Sequence, residues 1–488
     1  MPRPLLEMHD DPSAAVDVAI VGGGIAGLCA AYRLQQRAPH LRCVLLEASD
    51  RLGGKVLTET IEVDGHRFVV EAGPDAFLAQ KPWAWQLAEE LGLADRLIPI
   101  NTVPRPVSVL KHGRAIALPE GVSLLAPTKA WPFVRSPLLS PGGKARVALD
   151  LAISPRAGDG DESLAAFVRR RLGSEALDWI AEPLMAGIYN ADPERQSLLA
   201  TFPTFRTIER DHGSLIRGLR AVARGRQSAP PSPAFLSLQS GMHELTDALA
   251  TRIGSIALSG APVERICRTP DGCFTLTLVD RRPITAAALL LAVSASEAAR
   301  LIEPISRHTA RALASLRTVG AGSVSLAHRT QDVRRPLPGY GLVVPRRERR
   351  PINAITVASR KFDGRAPTGW QLLRVFFGGS RSQATMSLSD DHLLRIVGEQ
   401  LHGLLGIDSP PSFHRIYRWE AGSPQYDVGH LNRIAQIESG LPAGVFITGS
   451  AYHGVGLPDL VRAATAVVDR IIGAQLMHPA AQGATAHA

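Results

Sequence analysis

The chain has 488 residues, of which 45% are hydrophobic and 20% are charged. This composition is typical of a folded protein, it excludes an intrinsically disordered chain, and the length predicts more than one domain. The net charge of +9 indicates an anionic partner, but the basic residues are spread along the chain and aromatic residues make up only 5%. Base-stacking surfaces need clustered aromatic and basic side chains, so we expect no nucleic-acid partner.

The sequence carries no signal for a membrane span or a metal site. Apolar runs stay shorter than the roughly 18 residues that cross a bilayer, and the first fifteen residues do not resemble a secretory signal. The four cysteines form no Cys-x-x-Cys pair and none stands beside a histidine at a metal-binding spacing. We therefore expect a cytoplasmic protein without a metal ion, soluble or peripheral on the inner face of the cell membrane.

The N-terminal segment predicts a dinucleotide-binding unit. Residues 16–47 follow a strand–helix–strand pattern, and the first strand runs into the turn Gly22-Gly-Gly-Ile-Ala-Gly27. Gly22 allows a tight turn, Gly24 lets phosphates approach the backbone, and Gly27 lets the helix pack closely on the strand. The second strand ends in Glu47, at the distance expected of an acid that binds the adenosine ribose.

The rest of the chain predicts a helical region followed by a return to strands. A hairpin over 61–79 and an amphipathic helix over 83–97 come first, and helical patterns follow at 161–181 and 211–223. The later elements are predicted in this order: a strand at 236–238, a helix at 243–253, a hairpin at 261–279, strands at 288–293, 322–328, 340–345, 352–358, 371–377 and 444–449, and a helix at 459–475.

The residues after the second strand resemble the FAD-binding flavoprotein oxidases. Glu47 is followed by Ala48-Ser-Asp-Arg51-Leu-Gly-Gly54-Lys55 instead of an ordinary helix. In that family the arginine and the glycine pair pack over the flavin diphosphate, and nicotinamide dehydrogenases lack them. The resemblance therefore implies FAD and not NAD.

A second resemblance covers nearly the whole chain. The segment 449–459, Gly-Ser-Ala-Tyr-His-Gly-Val-Gly-Leu-Pro-Asp, is similar to the protoporphyrinogen oxidases of bacterial type, which belong to the amine oxidase superfamily of FAD oxidoreductases. The strings Glu182-Pro-Leu-Met-Ala-Gly-Ile-Tyr189 and Pro424-Gln-Tyr-Asp-Val-Gly-His430 agree with it in the same order. This family oxidises a porphyrinogen by hydride transfer to flavin N5 and passes the electrons to oxygen, so no catalytic acid or base is assigned.

The resemblance implies an α/β fold, α+β overall, with a discontinuous Rossmann-like FAD-binding domain, a substrate domain built on a mixed or antiparallel sheet, and a mainly helical insertion. The predicted boundaries are 15–99, 235–300 and 441–475 for the three parts of the FAD-binding domain, 301–440 for the substrate-binding domain, 100–225 for the insertion, and 476–488 for a flexible tail. A monomer or a homodimer is expected.

The resemblance also implies the residues of the site by position. The expected contacts of a non-covalent FAD are Gly22, Gly23, Gly24, Ile25, Ala26, Gly27, Glu47, Ala48, Arg51, Gly54, Lys55, Gly73, Pro74, Asp75, Ala76, Val263, Trp419, Val455, Gly456 and Leu457. The expected substrate contacts are Arg105, which would bind a propionate, and the apolar wall of Tyr340, Gly341, Val343 and Phe376.

Three other functions remain open. Oxidation of coproporphyrinogen III to coproporphyrin III uses the same fold, and Arg105 with the apolar wall favours protoporphyrinogen IX by a modest margin. An amine oxidase is a further alternative, as is a carrier that keeps the fold without flavin. No cysteine lies near 449–459 to bond a flavin covalently.

The insertion over 100–225 corresponds to the membrane-docking region of the family. Trp131, Phe133, Leu138 and Leu139 could contact a bilayer, with basic residues around them. Ordinary packing of an irregular helical region explains the same residues equally well.

Overall fold

A computed structural model describes residues 15–104, 106–123, 125–227 and 233–477. Arg105 and residues 478–488 of the predicted tail lie outside this described part. The strands are β1 (Val16–Val21), β2 (Cys43–Leu46), β3 (Thr58–Val63), β4 (His66–Glu71), β5 (Phe77–Leu78), β6 (Leu97–Pro99), β7 (Val107–Lys111), β8 (Arg114–Ala117), β9 (Val122–Ser123), β10 (Ala126–Pro127), β11 (Phe235–Leu238), β12 (Ala257–Leu258), β13 (Val263–Arg268), β14 (Phe274–Leu278), β15 (Ile284–Leu291), β16 (Thr318–Arg329), β17 (Gly341–Val343), β18 (Ala354–Val357), β19 (Trp370–Gly378), β20 (Phe413–Pro424) and β21 (Val445–Ile447).

The helices lie between these strands. They are α1 (Ile25–Arg37), α2 (Trp83–Glu90), α3 (Ala130–Arg135), α4 (Pro141–Ala148), α5 (Leu164–Leu172), α6 (Ser174–Ala176), α7 (Gly187–Tyr189), α8 (Leu198–Thr201), α9 (Pro203–His212), α10 (Leu215–Gln227), α11 (His243–Ile253), α12 (Ala295–Ile302), α13 (Arg307–Ala314), α14 (Ala358–Lys361), α15 (Asp390–Leu405), α16 (His430–Ser439) and α17 (Leu457–Met477). Residues Leu177–Ala186 form a π-helical segment between α6 and α7.

The first large sheet joins segments that are far apart in the sequence. Its strands run in the order β12-β2-β1-β15-β14-β13, and β21 also pairs with β15. β12, β2, β1, β15 and β21 run parallel to one another, whereas β14 pairs antiparallel with both β13 and β15. The side chains of the parallel strands are mostly buried, because α1, α11 and α17 cover one face of the sheet and α12 and α13 cover the other. This is the predicted α/β arrangement of a dinucleotide-binding sheet.

The second large sheet is mostly antiparallel and carries the strands that were predicted between 320 and 380. Its order is β20-β16-β19-β18-β17-β7-β8, with β17 and β7 parallel to each other. β16 pairs along nearly its full length with β19 on one side and β20 on the other. The sequence did not predict β20, and it did not predict that β7 and β8, from within the helical insertion, would join this sheet.

Helices between residues 130 and 227 pack around their own apolar cluster. This cluster includes Phe133, Leu138 and Leu139, which are buried. The prediction that these three side chains could contact a bilayer is therefore wrong, because each fills space between helices. Trp131 is different: it is 64% exposed. No helix in the described ranges combines the length and apolar character that a membrane span requires.

Candidate active site

A cavity of about 960 Å³ lies between the two large sheets and the π-helical segment. It runs from the glycine turn after β1, past the segment that follows β4, to the wall formed by β17, β18 and β19. Most of its lining is backbone or apolar, with a few charged side chains. Such a space between sheets is where ligands bind in folds of this class.

The glycine turn is shaped so that a ligand can approach the backbone. Gly22 has a φ of +110°, and a Cβ there would lie 2.6 Å from the Ala292 carbonyl oxygen. A Cβ on Gly27 would lie 1.9 Å from the Gly22 oxygen, so only glycine lets α1 start this close to the turn. A Cβ on Gly24 would meet only the Gly54 Cα, at 4.0 Å, and α1 has no side-chain cap. The free N–H groups at its N-terminus suit a phosphate.

Glu47 at the end of β2 is held in place by three hydrogen bonds. Its Oε2 accepts the backbone N–H of Gly23 at 2.6 Å. Its Oε1 accepts the backbone N–H and the hydroxyl of Ser49 at 2.9 and 2.7 Å. The carboxylate therefore faces the cavity in a fixed orientation beside the glycine turn.

The segment from Ala48 to Lys55 folds over the glycine turn. The Gly53 N–H donates to the Gly23 oxygen at 2.8 Å, and Arg51 Nη2 donates to the Gly54 oxygen at 2.6 Å. Lys55 Nζ donates to the carbonyl oxygens of Ala421 and Gly422 at 3.1 and 2.9 Å. Although Lys55 is accessible from the cavity, the surrounding protein lowers its pKa because burial disfavours the charged form.

Gly73 lies in the segment after β4, between the turn at residues 53–55 and the second large sheet. A Cβ on Gly73 would lie 1.8 Å from the Lys55 carbonyl oxygen, which no side chain can accept. The neighbouring Ala72 oxygen accepts hydrogen bonds from Trp419 Nε1 at 3.1 Å and from Arg374 Nη2 at 2.9 Å. These contacts fix the 72–76 segment as one wall of the cavity.

Charged side chains lie directly behind this wall. Asp75 forms an ion pair with Lys361, whose Nζ lies 2.7 and 2.9 Å from the two carboxylate oxygens. Burial works against ionisation of Asp75, but the positive charges of Lys361 and Arg374 outweigh it and hold its pKa below the ordinary value. Burial raises the pKa of Glu71 to about 7, although Thr58, Arg365 and the Met242 N–H oppose the shift. Lys361 and Arg374 thus bring positive charge to the cavity.

A second buried ion pair lies where the π-helical segment meets the second sheet. Glu182 Oε1 accepts Arg381 Nη1 at 3.0 Å, and its Oε2 accepts the Arg346 N–H at 3.0 Å. Arg381 Nε also donates to Asn353 Oδ1 at 3.0 Å. Burial raises the pKa of Glu182 and lowers that of Arg381, because both charges have left bulk water.

The C-terminal glycine string is anchored to the Pro-Gln-Tyr motif. The Tyr426 hydroxyl accepts the Gly454 N–H at 2.7 Å and donates to the Ser450 oxygen at 2.8 Å. The Tyr426 ring stacks on His430 with centroids 3.8 Å apart. Burial lowers the pKa of His430 to about 4, so this imidazole is neutral at physiological pH. α17 begins at Leu457, and its first turn faces the cavity.

The structure brings most of the predicted site residues together. The predicted residues that line the cavity are Gly22, Gly24, Ile25, Ala26, Glu47, Gly54, Lys55, Gly73, Pro74, Ala76, Val343, Phe376, Trp419, Val455, Gly456 and Leu457. Gly23, Gly27, Ala48, Arg51, Asp75, Val263, Tyr340 and Gly341 are not part of the lining; several of them support it, as described above. Whether any of these residues contacts a ligand stays a prediction.

Six charged residues of the lining were not predicted: Glu182, Glu297, Lys361, Arg374, Arg381 and Glu420. Glu182 lies in a sequence string that carried the family resemblance, so the sequence had already indicated that this position is of interest. Arg374 interrupts the buried run Leu372-Leu-Arg-Val375, and a charge inside a buried strand indicates a special environment. Lys361 and Arg381 follow strands and carry no comparable signal in the sequence.

Residues 25–472 match a family model that is described as "Flavin containing amine oxidoreductase". A coproporphyrinogen III oxidase of Propionibacterium freudenreichii subsp. freudenreichii is 36% identical, over 97% of this chain and 95% of the relative. Protoporphyrinogen oxidase 1, chloroplastic, of Arabidopsis thaliana is 29% identical, over 92% of this chain and 86% of the relative. The crystal structure of a candidate protoporphyrinogen oxidase from Exiguobacterium sp. 255-15 has a TM-score of 0.85 and 32% identity, and the match covers 95% of this chain and 100% of that one.

These similarities confirm the fold and the family resemblance that the sequence motifs indicated. The family match begins at Ile25, within the glycine turn after β1, and ends within α17, so it includes the C-terminal glycine segment at the cavity. Flavin is the cofactor of this family, in agreement with a cavity that starts at a glycine turn. The chain therefore belongs to the flavin-containing amine oxidoreductase family, among relatives that are named as porphyrinogen oxidases.

Proposed function

We propose that this protein is an FAD-dependent oxidase that converts a porphyrinogen to the porphyrin with oxygen as electron acceptor. The observation that carries the proposal is the cavity, which is continuous from the glycine turn to the wall of Val343 and Phe376. When bound, the flavin supplies the hydride acceptor. The protein's part is to hold a bridging C–H of the substrate against the flavin and to exclude water.

The chain's own residues fit the flavin at several points. The glycine turn and the α1 N-terminus suit the pyrophosphate, and Glu47 suits the ribose hydroxyls. The N-terminus of α17, after Val455 and Gly456, presents a positive dipole end that would stabilise the charge of a reduced flavin ring. The described cysteines lie outside the cavity lining, in keeping with non-covalent binding.

Glu47→Ala should weaken FAD binding by roughly tenfold, about 1.4 kcal/mol, because the ribose loses a charged hydrogen-bond acceptor. The dissociation constant is measured by fluorescence titration of the flavin-free protein with FAD and, separately, with FMN. FMN lacks the adenosine ribose, so its affinity should change little. Glu264→Gln, an exposed acid on β13, serves as the control. Equal losses for FAD and FMN would contradict the assignment of Glu47.

Protoporphyrinogen IX is the substrate that the sequence motifs favour. The decisive assay incubates the purified flavoprotein in air with protoporphyrinogen IX, with coproporphyrinogen III and with primary amines, and follows porphyrin fluorescence and peroxide. Faster turnover of protoporphyrinogen IX supports the main proposal. Turnover of amines alone, or of none of the compounds, would overturn it.

Coproporphyrinogen III is the second candidate substrate. The relative from Propionibacterium freudenreichii, at 36% identity, is named for that activity, whereas the Arabidopsis protoporphyrinogen oxidase is 29% identical. Coproporphyrinogen carries four propionates, and the cavity places Lys361, Arg374 and Arg381 in its lining. Faster turnover of coproporphyrinogen in the same assay would select this candidate.

We also propose peripheral contact with a membrane through α3 and its neighbours. Trp131 is exposed and lies under the guanidinium of Arg135 at 4.5 Å, and Val134 and Leu149 are exposed nearby in the sequence. We expect Trp131→Gln to reduce binding to vesicles that contain phosphatidylglycerol at least threefold, because an indole favours the interface. Co-sedimentation measures this, with Leu431→Ala as an exposed control on α16. Equal binding of both variants to the vesicles would refute the proposed membrane contact.

A further inference from the structure

Glu182 is a buried carboxylate in the wall of the cavity, 8% exposed. Asn353, which holds its partner Arg381, is the residue before Ala354, and Ala354 pairs with Phe376 across β18 and β19. Arg381 and the Arg346 N–H each occupy one carboxylate oxygen. Each oxygen keeps a second lone pair that can accept a further donor.

The other carboxylates in the described lining are differently placed. The Glu47 carboxylate accepts hydrogen bonds from Gly23 and Ser49 beside the glycine turn. Glu297 pairs with Arg300 on its own helix, and Glu420 is exposed. Glu182 thus combines burial, a fixed position and a place in the cavity lining.

The proposed reaction needs a proton acceptor as well as a hydride acceptor. When the C–H bond at a bridging carbon breaks, hydrogen leaves with both electrons, and the remaining ring system carries one positive charge. Breakage of a pyrrole N–H bond, with its electron pair kept by the ring, restores neutrality and releases one proton. Each two-electron step therefore removes one hydride and one proton. Over three steps the substrate loses four hydrogens from its bridging carbons and two from its pyrrole nitrogens, so two of the three protons come from N–H bonds and one from a bridging carbon.

We propose that Glu182 accepts the proton that each oxidation step releases. The inference rests on the proposed porphyrinogen activity. The carboxylate is the proton acceptor, and Arg381 and Arg346 hold it in position. Gly187 and Ile188, in the next turn of the chain, are exposed, so the proton can pass to water at this side of the cavity.

The charges around Glu182 agree with this role. It faces Arg381 from the end of β19 and Arg346 from the turn after β17, and Arg346 also lies 3.6 Å from Asp192. Burial raises the pKa of Glu182 above its ordinary value in spite of both arginines. A carboxylate with a raised pKa is a more effective proton acceptor near neutral pH than an exposed one.

Glu182→Gln keeps the shape but cannot accept the proton, so kcat should fall by about 100-fold or more while KM changes little. In the wild type, kcat should fall at low pH as Glu182 becomes protonated. This acidic limb of the pH–rate profile should be absent from the variant. Binding of the product porphyrin, followed by fluorescence quenching, should persist. The control is Asp178→Asn, on the same π-helical segment, whose carboxylate pairs with Arg347 and is not part of the cavity lining.

Wild-type kcat and an unchanged acidic limb in Glu182→Gln would overturn the inference. Glu182→Asp keeps a carboxylate and should recover part of the rate and the limb; equal impairment of both variants would indicate a positioning role only. If Glu182→Gln does not fold, the wild type provides the test. The rate at which the porphyrinogen reduces the flavin is followed by bleaching of the flavin absorbance, and a rate that does not depend on pH would overturn the proposal. Failure of the wild type to oxidise any porphyrinogen refutes the proposed function instead.

Discussion

Gly73→Ala is expected to abolish most flavin binding, because the added methyl group has no space. Its carbon would lie 1.8 Å from the Lys55 oxygen and 2.9 Å from the Lys55 carbonyl carbon, and both are backbone atoms. Either the 72–76 segment or the 53–55 turn must move. The hydrogen bonds from Trp419 and Arg374 to Ala72 would then be strained, and the cavity wall would lose its shape.

We expect the affinity for FAD to fall at least tenfold, which corresponds to about 1.4 kcal/mol of binding free energy, and the purified protein to carry much less flavin. Absorbance near the flavin band relative to protein measures it, and circular dichroism shows whether the fold persists. Gly398→Ala is the matched control, since it lies in α15 with no atom within 4 Å of an added Cβ. Alanine there should leave flavin content unchanged and favour the helix slightly. Normal flavin content in Gly73→Ala would show that this wall does not bound the cofactor site.

Arg171→Met is expected to unfold the helical region between residues 130 and 227. Arg171 on α5 is fully buried, and its Nε donates to Asp150 Oδ1 at 2.6 Å. Its other nitrogens donate to the carbonyl oxygens of Asp150, Ile153 and Gly213 at 2.9 Å each. Removal of the guanidinium leaves the buried Asp150 without its counter-charge.

Loss of one partner from a buried pair costs about 3–5 kcal/mol, a large share of the stability of a domain. We expect a lower urea midpoint and faster proteolysis between α3 and α10. A double variant with Asp150→Asn should recover part of the loss, because it removes the unpaired charge. Arg210→Met, an exposed arginine paired with Asp211 on α9, should leave the midpoint unchanged. Equal midpoints for Arg171→Met and Arg210→Met would refute the importance of this pair.

The local patterns of the N-terminal unit and of one helix in the middle of the chain predicted structure accurately. The strand–helix–strand unit is β1, α1 and β2, and the predicted helix at 243–253 is α11 with the same bounds. These segments have strong periodicity and clear glycine signals, and local sequence dominates there. The amphipathic helix predicted over 83–97 ends at Glu90, because Gly92 adopts a positive φ of 81° and stops it.

Tertiary contacts decided the elements for which local patterns were weak. β20 carries polar residues such as His414 and Arg415, and it is a strand because β16 supplies hydrogen bonds along its length. Phe133 and Leu138 looked equally suitable for a bilayer or a core, since an apolar side chain carries no information about what covers it. Only the packing of the helices around them showed that they are buried.

The sequence by itself therefore determined the glycine turn, the acid at its side and the family, because these depend on backbone shapes that few residues permit. The tertiary structure alone placed Glu182 beside Arg381, and Lys361 and Arg374 beside Asp75. These pairs join residues from distant segments, and their charges interact strongly only because the fold removes them from water. The cavity's charges are thus a property of the assembled sheets, whereas its cofactor turn is a property of the local sequence.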